Sequence, residues 1–302
     1  MKIGLYPGCS LEGSSREYND SVEAVAHRLG IQLERIEDWN CCGATAAHNL
    51  NRDLALALPA RILALAERQG LSEIVVPCAA CYNRLTLAKH ELLEEESLLQ
   101  RINPIIEMEF QGTVEIINII QMLEKYAMPL MDSQIKTPFN HKVACYYGCL
   151  LVRPHKILQF DRPEDPQSMD NIVKKLGGTP IDWAFKVECC GAGFTVSCSE
   201  VVNKLSGKIL EDAYLRGAEA LVVACPMCHA NLDMRQSDIE RYMGKKYGLP
   251  ILYITQVMGM ALGISAKKLG LHRHLVPVVF RDNGGAAAQV RKPAEPVVQV
   301  EE

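Results

Sequence analysis

Apolar and polar positions alternate along this chain in strand and helix rhythms, and the succession runs twice. Residues 2–6 form a compact apolar run of strand length. Residues 15–29 carry apolar side chains at helical spacing and stop at Gly30. Residues 31–36 alternate like a strand. The stretch 52–69 reads as a helix with Pro59 as an expected kink and Gly70 as its stop. A strand over 73–76 follows, then a helix from Cys81 to about residue 97. The second run predicts strand 142–145, helix 167–176, strand 179–183, helix 200–216, strand 220–223, helix 229–244 and strand 251–254. Between the runs, residues 98–140 are expected to hold one amphipathic helix, about 114–126, and a polar loop with Pro129 and Pro138. This alternation predicts the α/β class, with a small, mainly parallel sheet flanked by helices in each half. The expected organisation is a first domain over 1–110, a linker with one helix over 111–140, a second domain over 141–281, and a disordered tail over 282–302.

Composition narrows the class. Of 302 residues, 48% are hydrophobic and 23% charged, enough apolar side chains for a full core. The net charge of −4 is spread without a basic stripe, which argues against nucleic acid as a partner. The N-terminus has no apolar stretch of signal-peptide length. The longest apolar run, 257–264, is far short of the ~20 residues of a membrane span. A cytoplasmic protein with no membrane span is expected. Twelve cysteines are many for such a chain, and in a reducing compartment they favour metal or redox chemistry over disulfides.

Ten of the twelve fall into two matching sets. Cys9, Cys41, Cys42, Cys78 and Cys81 are answered by Cys149, Cys189, Cys190, Cys225 and Cys228. The flanks repeat as well: Tyr-Pro-Gly-Cys at 6–9 and Tyr-Tyr-Gly-Cys at 146–149, and a Cys-Cys-Gly at 41–43 and at 189–191. The chain is a duplication. Each cysteine group follows an expected strand, at the edge where α/β folds place ligands. Structural zinc takes four ligands, as does a cubane cluster. Five thiols, two of them adjacent, suit a larger body with more than one kind of iron site. Gly8, Gly43, Gly148 and Gly191 beside the cysteines leave room for it. Zinc ribbons would explain the CxxC pairs and leave Cys9, Cys41 and Cys42 without a role. A thioredoxin-like dithiol would need neither the adjacent pairs nor the lone cysteines.

This doubled pattern resembles the CCG domain, and a chain of two such domains resembles the B subunit of heterodisulfide reductase over about residues 1–280. The stretches at 146–154, 160–166, 188–193 and 224–234 agree with that resemblance. The resemblance implies an oxidoreductase like CoB-CoM heterodisulfide reductase, with each set of five cysteines holding a non-cubane [4Fe–4S] cluster. It implies that the clusters face each other at the domain interface and that a small disulfide is cleaved, or reversibly formed, between them. Electrons would come from a ferredoxin-like iron–sulfur subunit of the C type, itself fed by a flavin subunit of the A type. The alternative is a non-catalytic electron-relay or zinc-containing scaffold subunit of a redox complex.

Several residues are left over. Cys145 and Cys198 have no counterpart and read as structural thiols. His48 and His229 are candidate proton donors to a leaving thiolate, because histidine titrates near neutral pH, although a plain hydrogen-bonded role is the more ordinary one. Arg153 and Lys186 are candidates to bind an anionic substrate tail or to offset cluster charge. Met227, Met234, Met258 and Met260 read as core.

Overall fold

A computed structural model describes residues 2–44 and 47–280, apart from the side chain of His48. The tail expected over 282–302 lies outside the described residues. In the first half, β1 (Lys2–Leu5), β2 (Gln32–Arg35), β3 (Glu73–Val76) and β4 (Glu115–Asn118) form a sheet in the order β2-β1-β3-β4. In the second, β5 (Lys142–Tyr146), β6 (Thr179–Pro180), β7 (Ala220–Val223) and β8 (Ile251–Tyr253) repeat it as β6-β5-β7-β8. Every pairing is parallel. The duplication read in the cysteines is therefore one of topology too, and the expected α/β class with two helix-flanked sheets holds.

Parallel neighbours need crossover connections, and helices supply them. The helix Arg16–Arg28 lies between β1 and β2, Arg52–Arg68 between β2 and β3, and Ser199–Leu215 between β6 and β7. Asn51 starts the second of these, accepting a hydrogen bond from the Leu54 N–H at 3.0 Å. The inner strands β3 and β7 are buried at every position, which their runs of Ile, Val and Leu make favourable. No described helix is long and apolar enough to cross a membrane.

The halves share one core. The helix Ile254–Ala261 packs on Arg16–Arg28. There the Tyr18 and Tyr253 rings stack 3.9 Å apart, and the Ser21 and Thr255 hydroxyls hydrogen-bond at 2.6 Å. The Tyr18 hydroxyl lies 3.3 Å from the carbonyl oxygens of both Pro77 and Ala224, the residues preceding the two CxxC motifs. The helix Ala79–Glu94 reaches the other half through Asn83, whose amide donates to Leu150 O at 3.1 Å and Arg153 O at 2.7 Å.

Between the halves the structure departs from the sequence reading. The helix predicted over 114–126 begins as β4, the fourth strand of the first sheet, so the segment expected as a linker over 111–140 contributes to that sheet. Ile116 and Ile117 are β-branched and lose rotamers in a helix, and the free edge of β3 is there to pair with them. Asn118 then accepts from the N–H groups of Ile120 and Gln121 and starts a short helix, Ile119–Met122. A helix not foreseen, Glu96–Ile106, precedes β4. The helix predicted over 229–244 is broken into Pro226–His229, a wider turn over Ala230–Met234, and Gln236–Met243. The strand predicted over 179–183 pairs only at Thr179–Pro180.

Candidate metal-cluster site

All three cysteine groups of each half follow the ends of strands. Cys9 follows β1, the Cys41–Cys42 pair follows β2, and Cys78 and Cys81 follow β3. Cys149, the Cys189–Cys190 pair, and Cys225 with Cys228 stand in the same relation to β5, β6 and β7. These strands flank the point where each sheet reverses its winding, the place where open α/β sheets bind ligands.

Burial repeats between the sets. Cys42, Cys78 and Cys81 are buried, while Cys9 and Cys41 are exposed. Cys190, Cys225 and Cys228 are buried, Cys149 is half-buried and Cys189 is exposed. Each adjacent pair thus puts one thiol on the floor of the site and one at its rim, as diverging side chains require. The sulfurs of Cys42 and Cys81 lie 3.1 Å apart, and those of Cys190 and Cys228 3.7 Å apart. Two sulfurs on one tetrahedral metal at ~2.3 Å lie about 3.8 Å apart, whereas a disulfide bond is about 2.05 Å. None of the twelve cysteines is in a disulfide. Across the halves, Cys78 and Cys225 are near enough to shift each other's pKa, and one Tyr18 hydroxyl lies 3.3 Å from the carbonyl that precedes each of them.

The thiols polarise one another. Cys42 is held down to about 4, first by the S–H of Cys41 and then by that of Cys81. Cys189 is held down to about 6, first by the S–H of Cys149. Cys225 lies well below the ordinary thiol value because Cys228 and Cys78 donate to it. The donors Cys41, Cys149, Cys78 and Cys228 are pushed up in turn. An all-sulfur donor set with thiolate character suits soft metals and iron–sulfur bodies.

The backbone makes room for a bulky group. Gly8 and Gly148 have φ of 62° and 71°, in the left-handed region. A Cβ on Gly8 would come 3.5 Å from the Cys81 sulfur, and one on Gly148 3.1 Å from the Cys228 sulfur. The N–H groups of Gly43 and Gly191 point at the sulfurs of Cys41 and Cys189, at 3.4 and 3.3 Å. A tyrosine clamps each adjacent pair: the Tyr6 hydroxyl donates to Asn40 O at 2.9 Å, and Tyr146 to Glu188 O at 2.7 Å. Burial first, and the nearby thiolates second, push both phenols up, so both stay donors. These clamps were not singled out in the sequence, although Tyr6 and Tyr146 occupy matching places in its repeat. On donor chemistry and on space, the residues present fit an iron–sulfur group.

A cavity of about 370 Å³ lies beside the second set, walled by Cys149, Cys189, Cys190, Cys225 and Cys228 and, from the first half, by residues that include Ala79, Ala80 and Arg84. Arg84 is a residue the sequence reading overlooked; its signal was a position three residues, or one helical turn, beyond Cys81.

The other candidates fall elsewhere. Lys186 is 2% exposed, and its ammonium contacts Asp165 at 2.9 Å, Asp170 at 3.1 Å and Pro166 O at 3.0 Å. Its carbonyl accepts from the Tyr147 and Gly148 N–H groups, so it braces the Cys149 turn and does not face the cavity. Arg153 is exposed and paired with Glu164 at 3.0 Å. The side chain of His48 lies outside the described residues. His229 is 1% exposed, stacks on Tyr253 at 4.4 Å and is not among the cavity-lining residues described. Cys145 is fully buried in β5, and Cys198 is half-buried just before the helix Ser199–Leu215. Met258 is core and Met260 packs against it. Met227 instead lines the cavity and Met234 is exposed, because both sit where the chain turns after Cys225.

His229, Asp233 and His274 form a buried trio behind the second CxxC. Gln256 accepts from the Tyr253 N–H through its oxygen, so its amide nitrogen faces Leu269 O and His274 Nε2. His274 Nε2 is therefore an acceptor. A metal held by Nδ1 would need Nε2 to donate, so the trio has the wrong polarity for a metal.

Two copies of one α/β unit, each gathering five cysteines at strand ends, define a duplicated cysteine-rich protein. The chain belongs to the CCG cysteine-rich-domain family, whose model matches residues 3–86 and 143–233. It is 35% identical over 279 residues to the 8-methylmenaquinol:fumarate reductase membrane anchor subunit of Wolinella succinogenes, covering 91% of this chain and 97% of that one. It is 31% identical over 283 residues to the B subunit of the ferredoxin:CoB-CoM heterodisulfide reductase of Methanosarcina mazei, covering 91% and 94%. The solved structure of a hypothetical protein from Helicobacter pylori superposes with a TM-score of 0.76 at 14% identity, over 92% of this chain. This chain spans about half of that one (52%), and the likeness is one of fold alone.

Proposed function

We propose that this chain is the disulfide-reducing iron–sulfur subunit of a heterodisulfide-reductase-type complex. In this reading Cys9, Cys41, Cys42, Cys78 and Cys81 hold one non-cubane [4Fe–4S] cluster, and Cys149, Cys189, Cys190, Cys225 and Cys228 hold the second. The observation that carries the reading is that two matching all-sulfur sets meet at one seam, where the Tyr18 hydroxyl lies 3.3 Å from the carbonyls before both Cys78 and Cys225, beside a cavity walled by both halves. An iron–sulfur group, when bound, supplies one-electron storage beside the sulfur–sulfur bond. The chain's own residues do the rest. Tyr6 and Tyr146 fix the adjacent cysteine pairs, and Gly8 and Gly148 keep the cradle open. Apolar wall residues such as Leu150 and Phe194 shield the bond from water. Reduction takes two electrons and two protons and releases two thiols. His229 is buried away from the cavity and does not face the bond. Relatives named as subunits of heterodisulfide reductases support a place in a multi-subunit complex. There a ferredoxin-like partner would donate electrons one at a time, fed by a flavin subunit.

A second reading is favoured by the relative named as part of 8-methylmenaquinol:fumarate reductase: a relay that exchanges electrons with a quinol system. One anaerobic assay separates the two. Protein reduced by methyl viologen radical is offered small disulfides or a soluble naphthoquinone. The first reading predicts disulfide-dependent oxidation of the viologen, lost in Cys190→Ser. Protein-dependent oxidation by the naphthoquinone, above the rate without protein and lost in Cys190→Ser, with none by any disulfide would overturn it in favour of the relay.

A further inference from the structure

The backbone donors to the cysteine sulfurs repeat in both halves, from Gly43 to Cys41 and from Gly191 to Cys189, but one side-chain donor does not. Asn231, three residues beyond Cys228, is fully buried, and its amide nitrogen lies 3.7 Å from the Cys190 sulfur and 3.2 Å from the Cys190 carbonyl oxygen. A carbonyl oxygen can only accept, so the nitrogen, with its two hydrogens, is the end of the amide that faces Cys190. The amide oxygen then accepts from the Thr195 hydroxyl at 2.9 Å, and Arg235 holds that turn by donating to Thr195 O at 2.6 Å. Ser206 donates to the same Cys190 carbonyl at 2.9 Å. The Cys190 and Cys228 sulfurs lie 3.7 Å apart, near the spacing of two ligands on one tetrahedral metal, so the accepting sulfur already stands where a ligand would. The first half lacks this arrangement. Counted from its own cysteines, Arg84, Ala47 and Leu58 occupy the places of Asn231, Thr195 and Ser206. Ala47 and Leu58 have no hydroxyl, Arg84 lines the cavity beside the second set, and among the described residues only cysteines donate to the Cys42 sulfur from a side chain.

An N–H aimed at a ligand sulfur stabilises the electron-rich state of the cluster which that sulfur holds, and so raises the cluster's reduction potential. We propose that Asn231 is a positioning residue that tunes the second set's cluster through Cys190, raising its reduction potential and setting it apart from the first set's cluster although the two ligand sets match. The inference rests on the second set holding an iron–sulfur cluster. It makes the Thr195 hydroxyl part of the same device, since that hydroxyl holds the amide in its orientation.

An anaerobic dithionite titration of the holoprotein with redox mediators, followed by electron paramagnetic resonance, tests this without turnover. The second cluster's signal is the one lost in Cys190→Ser, and the first cluster's is the one lost in Cys41→Ser. Asn231→Leu keeps the volume and removes the N–H, while Cys190 O keeps its bond from Ser206. With iron and sulfide at the wild-type content, Asn231→Leu lowers the second cluster's reduced-to-oxidised ratio at a fixed potential by about fivefold or more and leaves the first cluster's within about twofold. Thr195→Val, at a half-buried position, lowers the same ratio by less, and it decides the matter if Asn231→Leu loads no iron. An unchanged ratio in the deciding variant, or an equal fall in both clusters, would overturn the inference. A wild type with no Cys190-dependent signal would remove the cluster reading and this inference together. A Cys190-dependent signal that shifts as stated, in a protein that reduces no disulfide, would leave the inference standing and remove only the disulfide reading.

Discussion

A hydroxyl at the end of the first strand in each half holds the turn that carries the adjacent cysteines. Tyr6 and Tyr146 are buried, and each donates to the carbonyl just before its pair. Removing such a hydroxyl strands a carbonyl and costs about 1 kcal/mol. Tyr146→Phe is therefore expected to lower the stability of the anaerobic protein by about that much and to speed iron loss from the second set to a chelator. Unchanged iron release would mean that the clamp does not position the pair. At this scale the two matching cysteine groups were legible because their spacing is written in the chain. Lys186 was misread for the opposite reason. A lone cation in sequence shows no partner, and its carboxylates at 165 and 170 become visible only when the chain from 160 to 170 folds back onto it. Burial alone would push the Lys186 pKa down, and the two aspartates outweigh it, so the ammonium stays charged. Arg84 was missed because its place in the cavity wall depends on where the first half's helix meets the second half.

Whole elements carry a different kind of signal. The buried strands β3 and β7 and the long helices were readable because period and length agree. The strand β4 was not, since the apolar positions between Val114 and Leu123 satisfy helical spacing as well, and only the open edge of β3 decides the outcome. The elements behind the second CxxC also make stability depend on pH. Burial lowers the pKa of His274 from the ordinary 6.5 to about 4. The unfolded chain therefore takes up its proton first, and the stability His274 contributes is complete above pH 6.5 and lost as pH falls toward 4. Asp233, raised by burial to about 6, works in the other direction: its contribution is lost as pH rises through 6. Comparing wild type with His274→Gln isolates the histidine. Between pH 7 and pH 5 the wild type is expected to lose more stability than the variant, by on the order of 1–2 kcal/mol in urea unfolding. Parallel losses in the two proteins would contradict this.

At the scale of the molecule, duplication does the organising. Two sheets of one topology bring their cysteine-bearing edges together, and the seam between them is sealed by the Tyr18–Tyr253 stack and by a Tyr18 hydroxyl within reach of the carbonyls before Cys78 and Cys225. The repeat was plain in the sequence, whereas the facing of the two sets was an expectation of the family resemblance alone, because nothing local to either half encodes how the halves face. Two cysteine sets brought to one seam are what a pair of clusters working on one bond between them would need. The most direct test of that central claim is iron, zinc and acid-labile sulfide analysis of protein reconstituted anaerobically. The account predicts about eight irons and about eight sulfides per chain, from two four-iron clusters. Fewer than about five irons together with stoichiometric zinc would contradict it.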